Sequence, residues 1–400
     1  MIALSFLGLG QYNKETKTYS YQETTYSFNG KKVKTSHFPY AVSEFIKPEK
    51  LFIIMTDKAD EVHADSLKKI CNYEPIKIPD GKSEDEFWII FDKITSVINE
   101  GDEIVFDITH GFRSQPFIVI VLLLYLKSLK NIKIKNIIYG AFEAKDQNNI
   151  TPVFELKSFI DLVDWSNAVR EFTENGNMKY FNTLLSEIHK NSYLKKLPNP
   201  SKELKGAGED LSKLTDAFST IRLEEIFQNT FHFNKRLENL KTDFENYPQA
   251  KPFSRLIDKI KNQFQLIADA EKQIFSEKGF EAQKAILVWY LETNKYQKAI
   301  TLAREFIVSK FMVEISKIKN DSLWEKSMRE EAEKKLGDLF QLSKNSKLKH
   351  DRRKVYADIW KNIVELRNDI NHAGMRPQKI PAKKIIENSE SIIKIIQKEF

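Results

Sequence analysis

Two short runs bring together residue types that could do chemistry. The first is Phe106-Asp107-Ile108-Thr109-His110-Gly111-Phe112-Arg113, where an apolar strand passes into polar residues and then into a helix predicted to begin near Gln115. Beyond the carboxyl end of a parallel strand, loops and helix N-termini present backbone N–H groups suited to phosphates. The first strand ends similarly at Gly8-Leu9-Gly10-Gln11-Tyr12, whose glycines permit close backbone approach to a ligand. Joined in one nucleotide pocket, Thr109 would donate a hydroxyl, His110 and Arg113 would meet phosphate or base, and Asp107 would orient the loop. An Asp-x-Thr segment at a strand end also caps the next helix, and a lone histidine is commonly structural, so these residues alone leave both roles open. The Gly8-x-Gly10 pair lacks the third glycine of a dinucleotide fingerprint, since Asn13 occupies that position. The incomplete fingerprint argues against nicotinamide chemistry.

The second run is Glu365-Leu366-Arg367-Asn368-Asp369-Ile370-Asn371-His372-Ala373-Gly374, near the end of a helix that Gly374 and Pro377 would stop. Asn368 and His372 share a helix face, whereas Arg367 and His372 lie about 140° apart around the axis. A distorted last turn, or a symmetric partner helix, would bring both basic groups to one phosphate. Metal-free RNA cleavage needs a base for the ribose 2′-hydroxyl, an acid for the leaving 5′-oxygen and positive charge on the phosphorane. His372 can exchange a proton near neutrality, Arg367 can contact a phosphate through two N–H groups, and Asn368 would hold the ring or a phosphate oxygen. Upstream, Ser343–Lys361 contributes Lys344, Lys347, Lys349, Arg352, Arg353, Lys354 and Lys361 against Asp351 and Asp358. That excess suits a polyanion, although charge runs are usually solvated helix surface.

The elements that must position these groups change character along the chain. Ile2–Leu7, Leu51–Thr56, Ile104–Phe106 and Ile134–Gly140 read as strands apolar on both faces, and Ala59–Asn72, Glu84–Asn99 and Gln115–Lys130 as crossover helices. A Rossmann-like α/β layer structure follows. Tyr19–Phe28 and Lys32–Phe38 flank Asn29-Gly30, a hairpin signal that predicts a small insertion near the first strand. From about residue 160 the spacing becomes helical, with Glu281–Leu291, Gln297–Lys310 and Val355–Arg367 apolar at three- and four-residue steps. Asn191–Gly208 is expected as a surface loop, Pro248 and Pro252 mark a turn, and His189 and His232 are assigned to helix surfaces or caps.

The 400 residues suffice for two or three folded units, and 13 Gly with 12 Pro leave little room for disordered linkers. The formal charge of +7 is compatible with a polyanionic partner. Cys71, the single cysteine, excludes an internal disulfide or a cysteine-based metal cluster, and no histidine pair has metal-ligand spacing. The start has no signal-peptide pattern, and the run Pro116–Leu126 is about half a membrane span. A cytoplasmic protein without a membrane partner is expected.

Asp107-Ile108-Thr109-His110-Gly111 resembles the Asp-x-Thr-His-Gly signature of CRISPR-associated proteins of the Csx1/Csm6 type, and Phe112-Arg113-Ser114-Gln115-Pro116 is similar to the same branch. Arg367-Asn368-Asp369-Ile370-Asn371-His372 is similar to the Arg-x4–6-His motif of HEPN nucleases, with Asn after Arg. Both signatures stand in the family's order, and the resemblance covers nearly the whole chain, least diagnostically at about 165–275.

The resemblance implies a CARF sensor at 1–160 with a hairpin insertion near 19–38, a helical linker at 161–275 and a HEPN ribonuclease domain at 276–400. It implies a cyclic oligoadenylate activator of four or six units, bound by Gly8, Gly10, Gln11, Tyr12, Asp107, Thr109, His110, Gly111 and Arg113 across a homodimer or an assembly of dimers. Activation would switch on cleavage of single-stranded RNA in type III CRISPR antiviral defence, leaving 2′,3′-cyclic phosphate and 5′-hydroxyl ends. Arg367, Asn368 and His372 would be catalytic, with no metal and no cofactor. The alternative is a CARF-containing regulator that binds nucleic acid without cutting it.

Overall fold

The structure is a computed structural model and describes residues 1–111, 115–318, 320–344, 352–375 and 377–400. The chain divides into two compact units, Met1–Val163 and Asp164–Phe400.

The first unit runs β1 (Ile2–Leu7), β2 (Gln11–Asn13), β3 (Thr18–Ser20), β4 (Thr24–Phe28), β5 (Lys31–Thr35), α1 (Phe38–Ile46), β6 (Lys50–Met55) and α2 (Asp57–Lys68). It continues through β7 (Glu74–Lys77), α3 (Glu84–Ser96), β8 (Glu103–Asp107), α4 (Gln115–Leu129), β9 (Lys133–Gly140) and β10 (Ile150–Glu155) into α5 (Lys157–Asn175). Eight strands form one sheet in the order β5-β4-β10-β9-β8-β1-β6-β7, with β9, β8, β1, β6 and β7 mutually parallel. The strand period of two sorts the core: Ile2, Leu4 and Phe6 pack with Ile90 and Ile94 of α3 and Val119, Leu122 and Leu126 of α4. Ala3 and Leu7 face the other way, toward Val42 and Phe45 of α1 and Ala59 and Leu67 of α2. Burial on both faces is why β1 and β8 read as continuous apolar runs.

The predicted hairpin exists, with Asn29 and Gly30 both at positive φ (48° and 79°), as a tight two-residue turn requires. It is not a separate insertion, however: β4 pairs in parallel with β10 and so carries the hairpin onto the edge of the main sheet. Its expected first strand is also two pieces, because Thr18–Ser20 turns away to pair with Gln11–Asn13 in a separate ribbon. β7 and β10 each contain a proline (Pro75 and Pro152), the residue that weakens a strand reading.

The second unit is all helical among the described residues: α6 (Lys179–Leu194), α7 (Leu204–Thr220), α8 (Leu223–Leu237), α9 (Leu240–Asn246), α10 (Lys251–Asp269), α11 (Glu277–Glu292), α12 (Tyr296–Glu314), α13 (Lys326–Lys344), α14 (Arg352–Asn371) and α15 (Ala382–Glu399). One apolar core joins them, with Phe181, Leu214, Phe227, Phe253, Phe306 and Ile363 fully buried. Pro248 and Pro252 occupy the first turns of a short 3₁₀ segment and of α10, where a missing N–H costs nothing.

The expected loop at 191–208 is only half a loop, since α7 begins at Leu204. The cause lies 39 residues downstream. Buried Asp243 accepts the backbone N–H groups of Lys202, Glu203 and Leu204 at 3.1, 2.8 and 3.1 Å and the Ser201 hydroxyl at 3.1 Å, satisfying a helix N-terminus that the local sequence does not cap. His189 bonds to the same Ser201 at 3.1 Å, so it belongs to a buried polar network instead of a plain helix surface.

Candidate functional site

In the sheet, the chain leaves β1 toward β6 and β7 on one side and reaches β8 and β9 on the other. The carboxyl ends of β1 and β8 therefore flank a topological switch point, the crevice where open α/β sheets bind ligands. Its floor is polar and buried. Asp107, wholly buried at the end of β8, accepts the Ser5 hydroxyl from β1 through Oδ2 and, through Oδ1, the Thr109 N–H at 2.7 Å and the Thr109 hydroxyl at 2.5 Å. Thr109 Oγ1 in turn accepts the Gly140 N–H of β9 at 2.8 Å. Burial pushes the Asp107 carboxyl up to about 7, against the three donors, which favour its charged form. Asp107 and Thr109 thus shape the Ile108–Gly111 turn; the Thr109 hydroxyl already has both partners inside the chain.

Above the floor, Tyr21 organises the rim. Its ring lies against His110 at a centroid distance of 4.0 Å, and the N–H groups of Gly8 and Gly10 face its hydroxyl oxygen. A Cβ on Gly8 would sit 3.1 Å from the His110 carbonyl oxygen, and one on Gly10 would sit 2.6 Å from the Ser20 carbonyl oxygen. The close approach these glycines permit is taken up by the chain itself. His110 is held neutral, its pKa driven down to about 3 by burial and by His37 and His63, and its shielded Nε2 has no hydrogen-bond partner among the described residues.

Two further histidines complete the rim and were not legible as site residues. His63 Nε2 bonds to the Leu9 carbonyl at 3.0 Å, which makes that nitrogen the donor and leaves Nδ1 to accept from His37 Nε2 at 3.3 Å. His37 Nδ1 then accepts from the Ser36 hydroxyl at 3.1 Å. The tautomers follow from this chain of donors, and burial lowers both pKa values, that of His37 to about 4. The two residues are 26 apart in sequence and meet because His37 precedes the first residue of α1 and His63 lies within α2, two helices packed on the same side of β1. Gln11 and Tyr12 lie on the exposed ribbon strand β2, and Arg113 lies outside the described residues, together with Phe112 and Ser114.

In the second unit, α14 carries the other run. His372 follows its last residue, its N–H bonding to the Asn368 carbonyl at 3.0 Å; Ala373 and Gly374 then take positive φ, and the Gly374 N–H returns to the Asp369 carbonyl at 3.0 Å. The Asp369 carboxylate, buried, receives the Ile380 N–H at 3.3 Å and draws the following segment under the helix end. Half-buried Arg367 contacts Asn368 Oδ1 at 3.4 Å, and its Nε has no hydrogen-bond partner among the described residues. The exposed His372 ring has no hydrogen bond to either among those residues. Of the expected basic excess, Lys347, Lys349 and Asp351 lie outside the described residues. Arg352 is a structural anchor, paired with Glu314 at 2.7 Å and lying 4.2 Å from the Phe400 ring.

Residues 3–143 match the family model of the CARF domain of CRISPR system endoribonuclease Csx1. The N-terminal unit is a Csx1-type CARF domain. The chain is also 30% identical over 276 residues to the CRISPR-associated protein MJ1674 of Methanocaldococcus jannaschii, an overlap that covers 67% of this chain and 38% of that protein. The chain thus spans about two-fifths of the length of the curated relative it matches. Both matches support a CRISPR-associated protein of the Csx1/Csm6 type. The CARF match takes in the β1–β8 crevice and every rim residue named above. Among the described residues no three His, Cys, Asp or Glu side chains gather as a metal site, and no helix is long and apolar enough to cross a membrane.

Proposed function

We propose that this chain is an endoribonuclease switched on by a cyclic oligoadenylate, cutting single-stranded RNA without a metal ion. The observation that carries the reading is the CARF crevice: a switch-point site between β1 and β8 whose buried Ser5–Asp107–Thr109 floor presents His110 and Gly111 at its mouth. On this reading the ligand meets Gln11, Tyr12, His110, Gly111 and Arg113, while Gly8, Gly10, Asp107 and Thr109 shape the site around it.

Homodimerisation has its own support. Phe117, Val121, Tyr125 and Leu129 recur every fourth residue on α4 and are all exposed, Phe117 by 71%. Exposed Trp88 of α3 joins them through Phe91, whose ring lies 5.7 Å from Trp88 and 5.8 Å from Tyr125. So large an apolar face is unusual on a monomer and suits a second copy related by a two-fold axis. The same symmetry answers the angular separation of Arg367 and His372, because a facing α14 supplies the missing group. There His372 exchanges the proton, Arg367 neutralises the phosphorane and Asn368 orients the imidazole or a phosphate oxygen. A symmetric ring activates by binding the active dimer more tightly than the resting one.

The test is a fluorescent single-stranded RNA incubated in EDTA with cyclic tetra- or hexa-adenylate, using the wild-type chain and His372→Ala. Cleavage with one ring that is absent in the variant is expected. Ring binding without cleavage would move the second unit to the binding-only regulator reading.

A further inference from the structure

Strands β2 and β3 form a ribbon three residues long on each side, with Tyr12 paired opposite Tyr19. None of its side chains enters either core of the unit, and a two-stranded ribbon without a buried face is marginal in water. What organises it is local. Asn13 Oδ1 accepts the N–H groups of Glu15 and Thr16 at 2.9 and 3.2 Å, and the Tyr12 and Tyr19 rings meet at 4.9 Å. Lys58, from the first turn of α2, also places Nζ 5.1 Å from the Tyr19 ring centroid. Exposed Lys58 forms no ion pair among the described residues, which leaves its charge available to the ring. Half-buried Tyr19 thus has both a cation and a tilted aromatic ring beside it, while Tyr12 remains 50% exposed.

Both stems of the ribbon stand at the crevice. Gly10, before β2, packs against the Ser20 carbonyl, and Tyr21, after β3, lies against His110. An exposed aromatic ring on a ribbon rooted at this crevice, with a second ring beside it, has a specific use. Nucleobases stack on such faces, and purines offer the larger overlap.

We propose that the ribbon is a base clamp: the open face of Tyr12 stacks a purine base of the ligand in the β1–β8 crevice, and Tyr19 and Lys58 hold that face in position. This rests on the sensor reading above. It adds a contact mode for Tyr12 and two positioning residues, Tyr19 and Lys58.

Cyclic tetra- and hexa-adenylate are titrated into the full-length chain by calorimetry, and a cyclic tetra-adenylate carrying one 2-aminopurine reports stacking by quenching. Tyr12→Ala is expected to raise Kd roughly 5- to 150-fold and to abolish the quench. Tyr12→Ile keeps the β propensity of the strand but offers no π face, and it is expected to behave as Tyr12→Ala does; Tyr12→Trp is expected to retain both affinity and quench. Tyr19→Ala and Lys58→Gln weaken binding less and leave a reduced quench, the signature of positioning. If the wild type binds a ring and Tyr12→Ile binds it equally well, Tyr12 merely stabilises the ribbon and the clamp is overturned while the sensor stands. If the wild type binds neither ring, the sensor reading and the clamp fall together.

Discussion

Replacing Asp107 by Asn tests the buried floor of the crevice through its protonation. The carboxyl has an unfolded-state pKa of 3.8 and a folded value of about 7, because burial outweighs its three donors. Between those values the folded chain keeps a proton that the unfolded chain has lost. The unfolded state therefore binds fewer protons, and stability falls as pH rises through the window. From pH 5 to pH 8 the loss comes to about 2.5 kcal/mol. The Asp107→Asn variant has no such titration: the new amide oxygen can still accept both Thr109 donors, and the Ser5 hydroxyl can rotate to accept from the amide nitrogen. His37 and His110, whose pKa values are lowered, give the opposite slope between about 4 or 3 and 6.5, but they are common to both proteins and cancel in the comparison. Urea unfolding with pulsed hydrogen exchange reads the β1 and β8 peptides apart from the helical unit. The stability of Asp107→Asn relative to wild type should rise by about 2.5 kcal/mol from pH 5 to pH 8. A difference that stays flat within about 0.5 kcal/mol would show that the carboxyl is not destabilised by burial and would refute the reasoning.

Three other outcomes are expected. His372→Ala and Arg367→Ala should each lower activated RNA cleavage at least about 100-fold in a fluorescence assay; for exposed His372 the urea midpoint should stay unchanged. Phe117→Glu together with Val121→Lys should convert dimers to monomers in sedimentation velocity without unfolding, because both side chains are exposed in a single chain. Asp243→Ala leaves three backbone N–H groups of the α7 start without their acceptor and should destabilise the helical unit by about 2–4 kcal/mol in urea titration, with Asp243→Asn recovering part of the loss.

The parallel strands were legible because burial on both faces leaves no polar alternation; Ile2–Leu7 coincides with β1 residue for residue. The helices of the second unit were legible as a class from their apolar spacing. What local pattern could not supply were features fixed by distant partners. The helical start at Leu204 depends on Asp243, and the sheet-edge position of the β4–β5 hairpin depends on β10. In the crevice, Asp107 and Thr109 stood out by their spacing, but Ser5 did not, since a serine inside an apolar strand has no periodic signature. His37 and His63 were equally silent, because only the order of β1, β8 and β6 in the sheet brings them to one rim.

The chain Ser5–Asp107–Thr109–Gly140 stitches three neighbouring strands together at their carboxyl ends. A sheet sewn across its edge resists shear between those strands and behaves there as a plate. Motion started by a ligand at the mouth is then shed into the loops and the β2–β3 ribbon, or else it tilts β1, β8 and β9 as one body. The buried carboxyl acts as the rivet of that plate, and loosening it should soften the response of the domain to a ligand before it alters the contacts the ligand makes.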